Sequence, residues 1–265
     1  IDSGTRWIFF RHERKICILL FRKIRRRFYL YYIDFDRVKS AKAKILFFLT
    51  MDVFELSRVD SIASHYLMQL RDRVVQKDRL GFRYNVQRLG QIMAFEISKH
   101  LQYASVEIQT PIEDTVSRSL KDWPVIITVL RAGLPYYQGF LDYFDQSDSG
   151  FIGAYRKEGE HEITINLEYL AAPSIEGKSI ILVDPMLATG NSFIRSLNAL
   201  QKHGKPNHVF LASLIAAPEG IENIRNNAGL NCSLWTVAID KQLNHQFYIV
   251  PGLGDAGDLS FGEKL

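Results

Sequence analysis

Short apolar runs rich in β-branched residues occupy most of the chain after residue 111, and they constrain its fold more than any other feature. Gly, Pro and Asp separate these runs, which read PVIITVLRAG, FIGAYRK, EITINLEYL, SIILVDP, HVFLASLIAAP and SLWTVAI. Several are apolar almost throughout rather than alternating, as expected for strands that are covered on both faces of a parallel sheet. Helix-like stretches at 134–144, 192–203 and 218–227 lie between them. This alternation predicts an α/β fold with ligands bound at the carboxyl ends of the strands.

Two amphipathic helices are predicted ahead of these strands. From residue 57 to about residue 79, apolar residues recur at steps of three and four, which is the helical period. A second helix is predicted from about residue 85 to residue 101 on the same grounds. The predicted architecture is therefore a mostly parallel sheet flanked by helices.

Basic residues are concentrated in the first fifth of the chain. Residues 1–50 hold 13 of the 33 Lys and Arg residues but only 4 of the 29 Asp and Glu residues, so the remainder is mildly acidic. This basic, aromatic head resembles an arm that binds nucleic acid or a membrane surface. We favour a second interpretation, translated upstream sequence or a mis-set start, largely disordered, because the segment lacks Met at its start and clean periodicity and ends just before Met51. We therefore divide the chain into a basic extension, 1–50, and one domain, 51–265.

The composition indicates neither a membrane span nor a disulfide framework. The longest apolar run near the amino terminus, residues 16–21, has six residues, whereas a membrane helix needs roughly 20. The two cysteines, Cys17 and Cys232, lie in different contexts, which favours a reducing cytoplasm and inert thiols. The seven histidines show no ligand spacing, so no protein metal cluster is predicted.

The stretch IILVDPMLATGNS, residues 180–192, places an aspartate at the end of a predicted strand and a turn of small residues before a helix. Backbone N–H groups in such a turn, together with the positive end of the helix, can bind phosphate. Gly190 permits positive φ, Thr189 and Ser192 can add hydroxyl donors, and Asp184 can accept hydrogen bonds from sugar hydroxyls. The stretch therefore predicts a site for a phosphorylated ribose, although on the turn alone an ordinary strand–helix connection fits equally well.

Four motifs together resemble one enzyme family. VDPMLATGNS resembles the phosphoribosyl pyrophosphate (PRPP) motif of the type I phosphoribosyltransferases, and its DPMLATG form resembles that of the uracil-specific family. VLRAGLP at 129–135, AYRKE at 154–158 and YIVPGLGDAGD at 248–258 agree in order and spacing, so the resemblance covers 51–265. It implies the type I phosphoribosyltransferase fold, with a small carboxyl-terminal hood that recognises the base.

The resemblance also implies an activity and its partners. The expected reaction transfers the phosphoribosyl group of PRPP to uracil, giving uridine monophosphate (UMP) and pyrophosphate in pyrimidine salvage. Mg²⁺ is implied by the pyrophosphate leaving group, because a hard divalent ion bridges phosphate oxygens with few protein ligands. A cytoplasmic homodimer or higher homo-oligomer is expected, without a membrane partner. Some members are activated by GTP, which makes GTP a candidate effector.

Site residues carry over from the matched motifs. Arg131 and Arg156 match the two PRPP-binding arginines of the family, and Asp255 is expected to contact PRPP or its magnesium ion. Catalytic roles are expected for Asp184, Arg131 and Asp255. The ribose and its 5-phosphate are expected to contact Asp184, Pro185, Met186, Leu187, Ala188, Thr189, Gly190, Asn191 and Ser192. Uracil is expected to contact Ile249, Gly254, Asp255 and Ala256.

Two positions depart from the wider superfamily. Pro185 stands where many relatives have a second acidic residue, and this proline is normal for uracil-specific members. Asn191 stands where the ATGGS pattern has glycine. Because Asn tolerates left-handed backbone geometry better than most residues, we expect phosphate binding to survive this change.

Two other hypotheses remain open from the sequence. The chain could be an RNA-binding regulator of pyrimidine genes that keeps the transferase fold, with the basic head contacting RNA. The acidic balance of 51–265 argues against it, since a basic face is the expected footprint of an RNA-binding protein. A related transferase for another base is the third hypothesis, which the YIVPGLGDAG segment does not favour.

Overall fold

The computed structural model describes the backbone of residues 5–12, 15–24, 27–34, 51–156 and 165–263, and the side chains of 51–153 and 169–263. The chain divides into two units, 1–50 and 51–265. The first unit contains an antiparallel sheet of three strands, β1 (Thr5–His12), β2 (Lys15–Ile24) and β3 (Arg27–Asp34). That residues 1–50 are an extension with no part in the domain stays a prediction.

The second unit is built on one large sheet. Its strands, with those of two small hairpins, are β4 (Val53–Glu55), β5 (Tyr103–Gln109), β6 (Asp114–Leu120), β7 (Val125–Leu130), β8 (Ser149–Arg156), β9 (Ile165–Ala171), β10 (Ser179–Val183), β11 (Met186–Leu187), β12 (His208–Ala216), β13 (Cys232–Ile239), β14 (Gln242–Leu243) and β15 (Ile249–Val250). The large sheet has the order β4-β13-β12-β10-β7-β8-β9, and β11 pairs with β12. All neighbours in it run parallel except β8 and β9. The predicted mostly parallel α/β fold is confirmed.

Helices cover both faces of this sheet. They are α1 (Ile62–Arg71), α2 (Arg79–Ser98), α3 (Leu134–Leu141), α4 (Asn191–Leu200), α5 (Pro218–Asn227) and α6 (Ala256–Phe261). Along β10, Ile181 packs in the apolar cluster that contains α1, α2 and α3, whereas Ile180 and Leu182 pack in the cluster that contains α4 and α5. Burial on both faces is the reason that this strand is apolar at every position after Ser179. Within the described residues, no helix is long and apolar enough to span a bilayer.

The first predicted helix is shorter than expected from its periodicity. The pattern predicted one helix over 57–79, but α1 ends at Arg71 and a 3₁₀ turn follows at Val75–Lys77. Asp72 ends the helix, since its Oδ1 accepts the N–H groups of Val74 and Val75 at 2.8 and 3.1 Å. Such side-chain bonds to the following backbone compete with helix continuation.

The hairpin of β5 and β6 was missed by the sequence analysis. It is antiparallel, with Tyr103 opposite Leu120 and Gln109 opposite Asp114. Most of its side chains are exposed on both faces. The sequence signal was incomplete, because β5 alternates between apolar and polar residues over 104–109, ASVEIQ, whereas β6, DTVSRSL, does not.

Burial gives His208, the first residue of β12, a pH-dependent contribution to stability. Its Nε2 lies 2.8 Å from Ser233 Oγ. Burial lowers the pKa of the His208 imidazole below its ordinary value of 6.5, although a hydrogen bond to Asn231 and the charge of Asp52 oppose the shift. The native protein therefore holds this side chain neutral at a pH where the unfolded chain is already protonated.

We expect the free energy of unfolding to fall as the pH is lowered through about 6.5, because the unfolded state then binds a proton that native His208 does not. For one proton the slope cannot exceed about 1.4 kcal/mol per pH unit. Urea unfolding between about pH 7.5 and about pH 5 measures it. His208→Asn should lose part of this slope, and His245→Asn, at an exposed histidine, should keep it. Equal slopes in wild type and His208→Asn would contradict the prediction.

Candidate active site

Three neighbouring strands of the large sheet end beside predicted site residues. Arg131 follows β7, Asp184 follows β10 and Arg156 is the last residue of β8. Since β7 is paired in parallel with both β8 and β10, the three residues come to the same, carboxyl edge of the sheet on neighbouring strands. The side chain of Arg156 lies outside the described residues.

Asp184 is held in a fixed position at the end of β10. Its side chain is buried, and Oδ2 accepts a hydrogen bond from Ser192 Oγ at 2.8 Å. Oδ1 accepts the N–H of Met186 at 3.3 Å. The carbonyl of Pro185 accepts the N–H groups of Leu214 and Ile215 at 2.9 and 3.1 Å, which ties the segment to β12. The carboxylate therefore sits at the carboxyl edge with its orientation determined by both neighbouring segments.

The predicted phosphate loop, residues 184–192, leads into the start of α4. Gly190 is the N-cap residue of α4, with φ of 80°, and makes no side-chain cap. The first N–H groups of an α-helix have no intrahelical acceptor and carry the positive end of the dipole, so they suit a phosphate. A Cβ atom on Gly190 would lie 2.8 Å from the carbonyl oxygen of Gly220, so the loop packs directly on the backbone of α5.

Asn191 does not need the left-handed geometry that the ATGGS comparison suggested. It is the first residue of α4, and the left-handed residue is Gly190. Its Oδ1 accepts a hydrogen bond from Asn223 Nδ2 at 3.0 Å, and the same amide donates to the carbonyl of Thr189 at 2.7 Å. Asn223 of α5 thus bridges two residues of the loop. The sequence analysis missed Asn223, because nothing in EGIENIRNN indicates which loop this helix faces.

The loop after β7 is shaped by close backbone packing. A Cβ atom on Gly133 would overlap Thr128 Oγ1 and lie 2.6 Å from the Val129 carbonyl oxygen, so only glycine fits there. The half-exposed Arg131 side chain donates from Nη2 to Asp258 Oδ1 at 3.2 Å and to the Gly262 carbonyl at 3.3 Å. The guanidinium is therefore paired with the carboxyl-terminal segment.

The predicted base loop, residues 248–258, is held at both ends. Ile249 is buried in β15, opposite Leu243 of β14. Gly252 and Gly254 have φ of 65° and 95°, which only glycine adopts readily. At the other end, Asp255 caps α6, with its Oδ1 accepting the N–H groups of Gly257 and Asp258 at 2.8 and 3.0 Å. The last three residues of the segment already belong to α6, because this cap starts the helix at Ala256.

The base loop and the loop after β7 are in contact. Besides the Arg131–Asp258 ion pair, a Cβ atom on Gly257 would lie 3.7 Å from Ala132 Cβ. A cavity of about 620 Å³ is lined by residues of the base loop, including Gly252, Gly254 and Asp255. Its lining also includes four basic residues, Arg71, Arg73, Lys77 and Arg79, and the acidic Asp258 and Glu263, but neither Arg131 nor the phosphate loop. The arrangement can hold a planar ring against backbone groups next to an anionic substituent.

A larger cavity lies at the opposite, amino edge of the sheet. Its volume is about 980 Å³, and its walls include Val53, Ser179 and His208, which begin three of the strands, together with Trp235. None of the predicted site residues lines it. The carboxyl edge, where ligands of open α/β sheets bind, remains the candidate site.

The comparisons with known proteins identify the family of the chain. The family model for uracil phosphoribosyltransferase matches residues 59–263. A uracil phosphoribosyltransferase of Porphyromonas gingivalis is 43% identical over 216 residues, which are 81% of this chain and 100% of the relative. That of Pyrococcus furiosus is 38% identical over 203 residues, 75% of this chain and 85% of the relative. A solved structure of an Aquifex aeolicus protein, with 29% identity, superimposes with a TM-score of 0.71 over 79% of this chain and 98% of its own.

The bridge from Asn223 predicts a binding defect. Asn223→Ala removes two hydrogen bonds that hold the carbonyl of Thr189 and the side chain of Asn191, so the phosphate loop loses part of its support. We expect the KM for PRPP to rise about tenfold with kcat changed much less, since each bond contributes about 1 kcal/mol. Steady-state kinetics at varied PRPP measures this. Asn226→Ala, at an exposed asparagine of the same helix, is the matched control. An unchanged KM for PRPP would show that the bridge is dispensable.

Proposed function

Because the chain belongs to the uracil phosphoribosyltransferase family, we propose that it transfers the phosphoribosyl group of PRPP to uracil at the carboxyl edge of its large sheet. The products are UMP and pyrophosphate, as in pyrimidine salvage. The observation that carries the assignment of the site is the meeting of Arg131, Asp184 and the base loop at that edge.

The residues that would bind PRPP are assigned from their charges and their hydrogen-bonding groups. The N–H groups at the start of α4 and the hydroxyls of Thr189 and Ser192 would bind the 5-phosphate, for which the Ser192 hydroxyl must turn away from Asp184. Asp184 would accept hydrogen bonds from the ribose hydroxyls, and Arg131 with Arg156 would bind the diphosphate, for which Arg131 must leave Asp258. Bond breaking at the anomeric carbon develops an oxocarbenium-like charge, so catalysis here rests on orientation and electrostatics and needs no covalent nucleophile.

The base loop would recognise uracil through its backbone. One edge of uracil presents an acceptor, a donor and an acceptor, and the N–H and C=O groups between Ile249 and Ala256 can match this pattern. Gly254 and Asp255 are exposed, and Ile249 and Ala256 are buried beneath them. Cytosine would turn an amino group toward a backbone donor and leave buried polar groups unpaired, a mismatch that discriminates strongly.

Magnesium fits this site as a partner of the substrate. Within the described residues, no cluster of three or more His, Cys, Asp or Glu could hold a metal ion. Mg²⁺ commonly keeps several waters and binds one or two carboxylates together with substrate phosphates. Asp255 is the residue that would reach it, because its carboxylate is exposed and only Oδ1 is engaged in capping α6. When bound, the ion neutralises charge on the leaving diphosphate.

A homodimer and a cytoplasmic location complete the proposal. The hairpin of β5 and β6 supports self-association, because Val106, Ile108, Ile112 and Val116 are exposed on it and Ile112 is 91% accessible. Cys232, a free and buried thiol, is consistent with a reducing compartment. GTP activation stays a prediction. The RNA-binding alternative gains no support from the described residues of the second unit.

The deciding assay is PRPP-dependent formation of UMP from uracil. We expect product with uracil and PRPP together, and neither cytosine, hypoxanthine nor orotate should replace uracil or compete well with it. Chromatographic detection of UMP and pyrophosphate measures both products. If uracil gave no UMP while another base gave its nucleotide, the proposed function would be wrong.

Two substitutions test the assigned roles. Asp184→Asn keeps the size of the side chain but removes its charge, and Arg131→Ala removes the diphosphate contact. Each should lower kcat/KM by about 100-fold or more, in the range found when one electrostatic group of an active site is lost. Far-ultraviolet circular dichroism should show an unchanged fold, and Arg225→Ala, in an exposed ion pair with Glu222, should keep full activity. Unfolding of either variant would instead point to a structural role.

A further inference from the structure

An ion pair between the partly buried Arg71 and the buried Asp240 contacts the base loop, and no sequence motif indicated it. Asp240 follows β13, and its side chain is only 5% exposed. Arg71, the last residue of α1, donates from Nη1 to Asp240 Oδ2 at 3.0 Å and from Nη2 to Oδ1 at 2.6 Å. The two side chains therefore form a bidentate pair, whose geometry a lysine cannot reproduce.

Both members of this pair also hold the same backbone residue. The N–H of Gly252 donates to Asp240 Oδ2 at 2.8 Å, and the Gly252 carbonyl accepts from Arg71 Nη1 at 3.2 Å. Gly252 is buried with φ of 65°, and a Cβ atom there would overlap the carbonyl of Ile249. The orientation of the backbone at residue 252 is thus set by two charged side chains from distant parts of the chain.

The position of Gly252 within the base loop gives this contact its importance. On one side β15 is held by its pairing with β14, including the bond from the Lys241 N–H to the Val250 carbonyl at 3.0 Å. On the other side Asp255 is held by capping α6. Gly252 lies between these two supports, and the Arg71–Asp240 pair holds the loop there. A loop that reads a base through its backbone depends on the direction of each N–H and C=O group, since a bond bent far from linear weakens steeply.

We propose that Arg71 and Asp240 are positioning residues for uracil, which hold the base loop in the conformation that selects this base. The inference rests on the proposed function, because it takes 248–258 as the uracil-binding segment. It assigns the pair a role in affinity and selectivity for the base, exerted through Gly252, although Arg71 also lines the cavity beside the base loop.

A role in stability alone is the competing account. A buried ion pair adds little net stability, because the desolvation of the two charges offsets most of their attraction. An apolar pair of similar volume often stabilises a fold equally well. Here each partner makes a further hydrogen bond to Gly252, which an apolar pair could not provide. Kinetics can separate the two accounts, since loss of stability lowers the amount of active enzyme without changing the KM for one substrate.

The experiment compares Arg71→Lys and Asp240→Asn with wild type in the full chain. Arg71→Lys keeps the positive charge but cannot bind Asp240 and the Gly252 carbonyl together, and Asp240→Asn keeps the shape but loses the charge. At saturating PRPP we expect the KM for uracil to rise at least about tenfold in both, as for the loss of one charge-assisted hydrogen bond. The KM for PRPP should change by less than about threefold, and the preference for uracil over cytosine should fall. Arg225→Lys, in the exposed pair with Glu222, is the matched control and should behave as wild type.

The outcomes are distinguishable. A selective rise in the KM for uracil, with circular dichroism unchanged, supports positioning. A lower kcat with unchanged KM values for uracil and PRPP, or unfolding of both variants, would overturn the proposal and assign the pair to stability. Wild-type enzyme that makes no UMP from uracil would instead refute the proposed function, before any variant is compared.

Discussion

The parallel pairing of β7, β10, β12 and β13 is the constraint on which the rest of the structure depends. These strands are buried on both faces, so their polar backbone groups must be satisfied by neighbouring strands. Parallel pairing in turn brings the carboxyl ends of all the strands to one edge. Arg131, Asp184 and Asp240 each follow one of these strands directly, and so the site and its support arise from the same edge.

Close backbone packing then connects the loops at this edge. Gly190 lies against Gly220 and Gly133 against Val129, at distances that leave no room for a Cβ atom, and Gly257 lies at van der Waals distance from Ala132. Each contact joins a loop expected to touch substrate to an element of the rigid sheet–helix body. The polar contacts of Asn223 and Arg71 act at the same places and fix the direction of backbone groups. The surrounding helices and strands thus fix the conformation of the loops. Ordering a loop costs conformational entropy, and the few contacts within the loop do not offset that cost.

The sequence predicted the body of the fold well where the signal was local. Apolar runs identified the central strands, and α5 begins and ends at the predicted residues 218 and 227. Prediction failed where a single side chain decided the outcome, as at Asp72, which ends α1, and Asp255, which starts α6. It also missed the hairpin of β5 and β6, in which β5 alternates between apolar and polar residues but β6 does not, and most side chains of both strands are exposed. Capping and exposure depend on contacts that a periodicity does not contain.

The sequence by itself determined which residues have the chemistry for the reaction: Arg131, Asp184 and the glycines of 248–258 were identified from their motifs, because charge and backbone freedom belong to residues individually. Only the tertiary structure decided what holds them. The ion pair of Arg71 with Asp240 joins residues 169 positions apart, and Asn223 reaches the phosphate loop from another helix. The packing of helices and strands in three dimensions determines which distant residues come into contact, and a local sequence pattern does not contain that information.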